Sequence, residues 1–387
     1  MKLRPHGRVA VTLGACLALA ACGSDNNTAT TNQQPVNVAP VSTVQTPSAV
    51  ATTASTSSNG ISCSGSGVLN GEGSTAQANA ISSWVSTYQA ACSGVTINYN
   101  GTGSGAGVKQ FTANQVDWAG SDSALKPEEI DPAKARCGGN DVYDIPMAVG
   151  PIAVAYNLAG IDGLVLDGPA IAKIFTGKIT KWDDQAIKDL NPSVSLPSKD
   201  IKVFFRSDES GTTENFEKYM AAAGGGNWTA APGKAFGGGV GEGQTKSAGV
   251  QQAVKATDGG IAYIEYSYAK DANLGVAKVK TGTDAVELTA ENAGKALAAA
   301  TLVGTGNDLS LKLDYTTTQP GAYPIVLVTY EIVCSKGLDA TKTGILKSFL
   351  SYLASDAGQQ AISSIGYGTL PADLVAKITA SIAAISA

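Results

Sequence analysis

Histidine is almost missing from this chain of 387 residues; the one copy, His6, stands in a basic stretch at the very start. A mature protein without it has no imidazole for a catalytic triad, a proton shuttle or a metal ligand. No CxxC spacing occurs among the six cysteines, so the usual structural zinc frameworks are out as well. Beyond the N-terminus no run reaches the roughly 18 apolar residues that a membrane-spanning helix needs. Nucleotide loops are also lacking. Gly103 to Lys109 has no Gly-Lys-Ser/Thr ending, and Gly177-Lys178-Ile179-Thr180 has no upstream glycine. Positive charge is in deficit, with 27 Lys and Arg against 32 Asp and Glu. Nucleic acid and anionic membrane surfaces are therefore poor electrostatic partners.

The N-terminus carries a targeting pattern. Lys2, Arg4 and Arg8 precede an apolar stretch from Val9 to Leu19, which ends in Leu19-Ala20-Ala21-Cys22. This resembles the lipobox of bacterial lipoproteins. It implies a signal peptide over residues 1–21 and lipid modification of Cys22, hence a protein anchored on the extracytoplasmic face of the cell membrane. Loss of the three basic residues takes the net charge from −5 to −8. Residues 22–59 are rich in Ser, Thr, Asn, Gln and Pro and contain no aromatic residue. Such a segment buries too little apolar surface to offset ordering entropy, so a flexible tether is expected. At roughly 5–6 Å × √n it would reach a few nanometres. Cys16 goes with the signal, leaving Cys63, Cys92, Cys137 and Cys334. Four cysteines in an exported chain suggest two disulfides, with three pairings open. Cys63–Cys92 with Cys137–Cys334 is the expected one, because the first pair flanks a strand–helix unit whose end should return to its start.

The remaining ~330 residues exceed a typical single domain, and strand and helix patterns alternate through them. Ile81, Trp84, Val85 and Tyr88 have i, i+3, i+4, i+7 spacing, and Val95 to Tyr99 reads as a strand. Two long apolar strands, Tyr143 to Leu158 and Tyr323 to Val333, bracket another α/β region. An α/β fold of two lobes follows: residues 60–150 and 321–387 form one, residues 151–320 the other, and two crossing strands join them. Ligands of such sheets bind at the carboxyl ends of the strands, where the lobes leave a cleft. A Thr180–Asp183 capping box is expected to open a helix near Trp182.

Three junctions repeat one chemistry. Gly73-Ser74-Thr75 is expected to open the Trp84 helix, Gly103-Ser104-Gly105 the Phe111 helix, and Ser210-Gly211-Thr212 the Tyr219 helix. Each offers a hydroxyl, free N–H groups and the positive end of a helix dipole. Any one alone can be a simple cap. Together, with Arg206 supplied by the strand before Ser210, they outline a cage for a tetrahedral anion. Gly120-Ser121-Asp122-Ser123 adds a carboxylate. A carboxylate only accepts hydrogen bonds, so it demands a proton on the ligand, which phosphate has near neutral pH and sulfate lacks.

These four turns resemble the substrate-binding lipoproteins of bacterial high-affinity phosphate ABC transporters, the PstS family. The likeness runs from about Gly65 to the C-terminus and takes in Gly177 to Asp184 and Ala262 to Tyr266. It implies a type II periplasmic binding protein, not an enzyme, that needs no cofactor or metal, binds inorganic phosphate and delivers it to an ABC permease. Ser74, Thr75, Ser104, Ser210, Gly211 and Thr212 would donate to the ion. Arg206 would pair with its oxygens, Asp208 would hold the guanidinium, and Asp122 would accept the phosphate's proton. Glu209 stands where many relatives have glycine, and its side chain is expected to face solvent. The rival readings are a binding protein for another oxyanion such as sulfate, which Asp122 opposes, and a secreted phosphohydrolase, which the absent histidine opposes.

Overall fold

Most of the apolar runs seen in the sequence are strands in this computed structural model, which describes residues 61–387. The leader, Cys22 and the 22–59 segment lie outside the described residues. From the start of the described chain the elements are β1 (Gly67–Gly73), α1 (Ala78–Ala91), β2 (Val95–Gly101), α2 (Ser104–Thr112), β3 (Trp118–Ser121), α3 (Pro127–Arg136) and β4 (Val142–Asn157). There follow β5 (Val165–Leu166), α4 (Gly168–Phe175), α5 (Gln185–Leu190), β6 (Lys202–Arg206), α6 (Gly211–Ala223), β7 (Glu242–Gln244), α7 (Lys246–Ala256), β8 (Gly260–Glu265), α8 (Tyr266–Asp271) and β9 (Gly275–Val276). The chain ends with β10 (Lys278–Thr281), β11 (Asp284–Val286), α9 (Ala290–Ala298), β12 (Thr301–Leu302), β13 (Leu311–Lys312), β14 (Val326–Cys334), α10 (Ala340–Ala354), α11 (Asp356–Ser363) and α12 (Ala372–Ala384).

One sheet runs in the order β2-β1-β3-β14-β4-β8-β6-β7. Its two ends are parallel, as strand–helix–strand crossovers require, and its middle is antiparallel. β4 explains how one sheet serves two lobes. Residues 142–151 pair with β14, whereas Ile152 onward pairs with β8. Every residue of β4 but the first and last is buried, and β14 is buried throughout. That accounts for their continuous apolar runs, since strands covered on both faces lose the alternating pattern.

Helices cover the sheet and complete the cores. Trp84 and Tyr88 of α1 are fully buried, with Tyr88 edge-on to Phe349 of α10 at 5.2 Å between centroids. In the other half Phe216 of α6 stacks on Tyr263 of β8 at 4.6 Å and meets Phe175 of α4 at 4.9 Å. Each such ring contributes about 1.5–3 kcal/mol by burial. Disulfides join Cys63 to Cys92 and Cys137 to Cys334, so the second clamps the end of α3 to the end of β14.

Two local expectations fail. α5 starts at Gln185, and Asp184 caps it by accepting from the Ala186 N–H at 2.9 Å. The Thr180–Asp183 box does not form, because Thr180 serves the Ile201 N–H through its carbonyl and Trp182 is drawn inward to donate to the Gly259 carbonyl at 3.1 Å. Similarly, α1 begins only at Ala78, after a non-capping Gln77. Ser74 and Thr75 therefore belong to the turn before the helix rather than to its first residues.

Candidate functional site

Arg206 is the last residue of β6, so its side chain leaves the sheet at the carboxyl edge and enters the cleft. The side chain is 3% exposed. Its Nε donates to Asp208 Oδ1 at 2.7 Å and Nη2 to Asp208 Oδ2, a two-pronged pair that fixes the guanidinium plane. Burial opposes the charge on Asp208, but the bonds and field of Arg206 outweigh it and hold the carboxyl below its usual range. Asp208 Oδ1 also accepts from the Lys246 N–H at 3.0 Å. Of the five guanidinium N–H groups three remain for other partners. One, on Nη1, lies 3.4 Å from Ser247 Oγ.

Asp122 follows β3 and is 2% exposed. Ser74 Oγ donates to its Oδ1 at 2.5 Å; Thr212 Oγ1 and Ser104 Oγ reach Oδ2 at 3.2 and 3.3 Å. Burial pushes its pKa up, against the pull of Ser74, Arg206, Thr212 and Ser104. Gly211 makes the close approach possible: a Cβ there would stand 2.7 Å from Asp122 Cβ and 2.9 Å from Ser104 Oγ. Ser104 and Gly211 are the first residues of α2 and α6, where N–H groups have no acceptor one turn back.

The structure thus gathers Ser74, Ser104, Asp122, Arg206, Gly211 and Thr212 around one point. Thr75 lies beside them with its Oγ1 2.9 Å from Ser247 Oγ. Ser210 has another duty. Its Oγ accepts from the Thr213 N–H at 3.3 Å as the cap of α6, which leaves only its O–H to donate. Glu209 is half exposed and pairs with Lys109 at 2.7 Å, so its charge is neutralised outside the cage. Ser247 was not foreseen. It stands at the start of α7 after β7, whose three residues carry no apolar run; the Gly237 to Gly243 stretch before it reads as a surface loop. The available signal was Thr245-Lys246-Ser247, a fourth hydroxyl-bearing strand–helix junction.

Both halves of the sheet close on this site. Asn215 Nδ2 donates to the Asp122 carbonyl at 2.8 Å, Tyr268 Oη to the Thr75 carbonyl at 2.8 Å, and Asn79 Nδ2 to Ser267 Oγ at 2.8 Å. The result is a buried cluster of rotatable hydroxyls and helix-start amides beside one clamped guanidinium. It can replace the hydration shell of a small oxyanion. Asp208 offsets the charge of Arg206, so the donors act through direction rather than net positive charge, and the buried Asp122 carboxyl stands among them as a hydrogen-bond acceptor.

A model of the PBP superfamily domain matches residues 32–357. The chain is 42% identical to phosphate-binding protein PstS 3 of Mycobacterium leprae (strain TN), over 100% of both chains. It is equally 42% identical to phosphate-binding protein PstS 3 of Mycobacterium tuberculosis (strain ATCC 25618 / H37Rv), again over 100% of both. Among solved structures it is similar to a high affinity periplasmic phosphate-binding protein (PfluDING) bound with phosphate. There the TM-score is 0.68 and the identity 26%, covering 81% of this chain and 93% of that one.

Proposed function

Because the chain belongs to the PstS family of phosphate-binding proteins in the PBP superfamily, we propose that its buried cage is the phosphate site. The protein is a two-lobed type II binding protein that takes up inorganic phosphate outside the cytoplasm for an ABC transporter. It performs no chemical step. In our reading Ser74, Thr75, Ser104, Ser210, Gly211 and Thr212 donate to the ion, Arg206 pairs with its oxygens, and Asp208 holds Arg206 in place. Ser247 joins them as a further donor. Asp122 accepts the ligand's proton and so selects phosphate over fully ionised oxyanions.

One observation carries this reading: hydroxyls from both halves of the sheet, Ser74, Ser104 and Thr212, converge on a single buried carboxylate. A cage meant for sulfate gains nothing from such an acceptor. The lobes, residues 60–150 with 321–387 and residues 151–320, would close on the ion by bending where β4 changes partners. Cys22 is proposed as the lipid-bearing residue that ties the protein to the membrane, and the closed lobes as the form offered to the permease. Calorimetric titration of phosphate-stripped protein tests the ligand. Phosphate is expected to bind far more tightly than sulfate, and equal affinities would overturn the reading.

A further inference from the structure

Beneath the cage lies a second carboxyl that the binding scheme does not use. Glu331, in the middle of β14, is 0% exposed, and neither of its oxygens has a hydrogen-bond partner. The strand register sets it opposite Gly120 of β3. Gly120 has no side chain because the Gln77 amide occupies that space; a Cβ there would lie 1.7 Å from Gln77 Nε2. Gln77 is itself 0% exposed, and its Oε1 is also without a partner. Its Nε2 donates to Tyr99 Oη at 3.0 Å, and Tyr99 Oη donates to the Ser74 carbonyl at 2.7 Å. On the other side the Ser74 N–H donates to the Gly120 carbonyl at 2.8 Å.

Tyr99 has spent its only proton on Ser74, so the Gln77 atom facing it must be the NH₂, and Oε1 must face elsewhere. An ionised Glu331 would then be a buried charge with the Gln77 amide as its one side-chain donor within reach, and Gln77 Oε1 would stay a buried acceptor with no donor, an arrangement that costs several kcal/mol. One proton removes the conflict. We propose that Glu331 is held as a neutral carboxylic acid whose O–H donates to Gln77 Oε1. The bond makes Glu331 a positioning residue: through Gln77 and Tyr99 it fixes the turn that aims Ser74 Oγ at Asp122. Burial pushes the Glu331 pKa far up; the Gln77 amide, its side-chain partner within reach, pulls it down, and the negative Asp122 raises it further. Asp122 and Tyr99 are the titratable groups that face it. Neutrality serves the site as well, because a charge here would repel both Asp122 and the bound anion.

The inference rests on the phosphate reading for its functional part, and its test has an arm that does not. Infrared difference spectra of the protein against Glu331→Gln should show a protonated-carboxyl stretch at pH 7 and pH 8 that the variant lacks. In calorimetry Glu331→Gln, whose amide can make the same donation, should keep phosphate affinity within about threefold and leave its pH profile between 6 and 8 unchanged. Glu331→Leu should weaken phosphate about tenfold, the loss of one buried hydrogen bond. The proposal is overturned if no such stretch is lost, or if the Gln variant binds as poorly as the Leu variant. Should the Leu variant not fold, the infrared band and the Gln variant still decide. Failure of the unaltered protein to bind phosphate would sink the phosphate reading, while the infrared band would still report on Glu331.

Discussion

Thr75 and Ser247, 172 residues apart in sequence, bring their hydroxyl oxygens to 2.9 Å across the cleft. The Ser247 N–H also points to Thr75 Oγ1 at 3.3 Å, and Ser247 Oγ lies 3.4 Å from Arg206 Nη1. One side chain from the turn after β1 and one from the start of α7 thereby link the two halves of the sheet beside the guanidinium. Ser247→Ala should weaken phosphate about five- to tenfold, the value of one buried hydrogen bond. Calorimetry measures the loss, and an unchanged melting profile would separate it from misfolding.

Arg206 is held by two prongs, and lysine has none to offer. Arg206→Lys keeps the charge but loses the planar fork onto Asp208 and the directed N–H groups. An affinity loss on the order of 10- to 100-fold is expected. Asp208→Asn should give a smaller loss, because the arginine stays but is no longer locked. Binding titrations of both variants check the order; a larger loss for Asp208→Asn would contradict it.

Glu265 closes β8 and is fully buried where that strand meets β4. Burial lifts its pKa from 4.5 to about 8, against the hydrogen bonds from Ser267. The folded state therefore holds this proton more tightly than the unfolded chain. The resulting stability is complete below pH 4.5 and is lost as pH rises toward 8, at up to ~1.4 kcal/mol per pH unit. Glu265→Gln should flatten the fall of stability between pH 5 and 8. Part of the slope should remain, since burial also lifts Asp144 and Glu217, each to about 7. Denaturant unfolding at several pH values measures this, and an unaltered slope would refute it.

The two disulfides span different stretches, with sequence separations of 29 and 197. Chain-entropy arguments give roughly 4 kcal/mol for closing the shorter loop and roughly 5 kcal/mol for the longer. Serine pairs at Cys137 and Cys334 should therefore destabilise more than serine pairs at Cys63 and Cys92. Chemical denaturation of the two double variants compares them.

The parts of the molecule legible in the sequence share one physical basis. Strand–turn–helix units place whatever follows the strand at the sheet's carboxyl edge, so Ser104, Arg206 and Ser210-Gly211-Thr212 could be assigned to one cleft from local pattern alone. The long buried strands were legible because few polar residues interrupt them, Asp144 in β4 and Thr329 and Glu331 in β14. Buried acids mark the limit. Glu265 and Glu331 look in sequence like ordinary polar positions, and only the packing of neighbouring strands shows that no water reaches them. Ser247 escaped because three residues of β7 make too short a signal. Ser74 and Thr75 were placed on the right turn but assigned to the wrong structure. Ser74 Oγ lies 2.5 Å from Asp122 Oδ1 and accepts from the Ala76 N–H at 3.0 Å within the turn itself, and α1 starts only after that turn is complete.

Competitive titration of phosphate and sulfate across pH, on the unaltered protein and on Asp122→Asn, tests the central claim most directly. At neutral pH the unaltered protein should prefer phosphate by at least about 100-fold, since an unpaired like charge against Asp122 costs several kcal/mol. Burial raises the Asp122 pKa, so acidification should protonate the carboxyl and narrow that preference. The Asn variant should show a small preference at every pH. Full discrimination in the Asn variant, or none in the unaltered protein, would contradict the account.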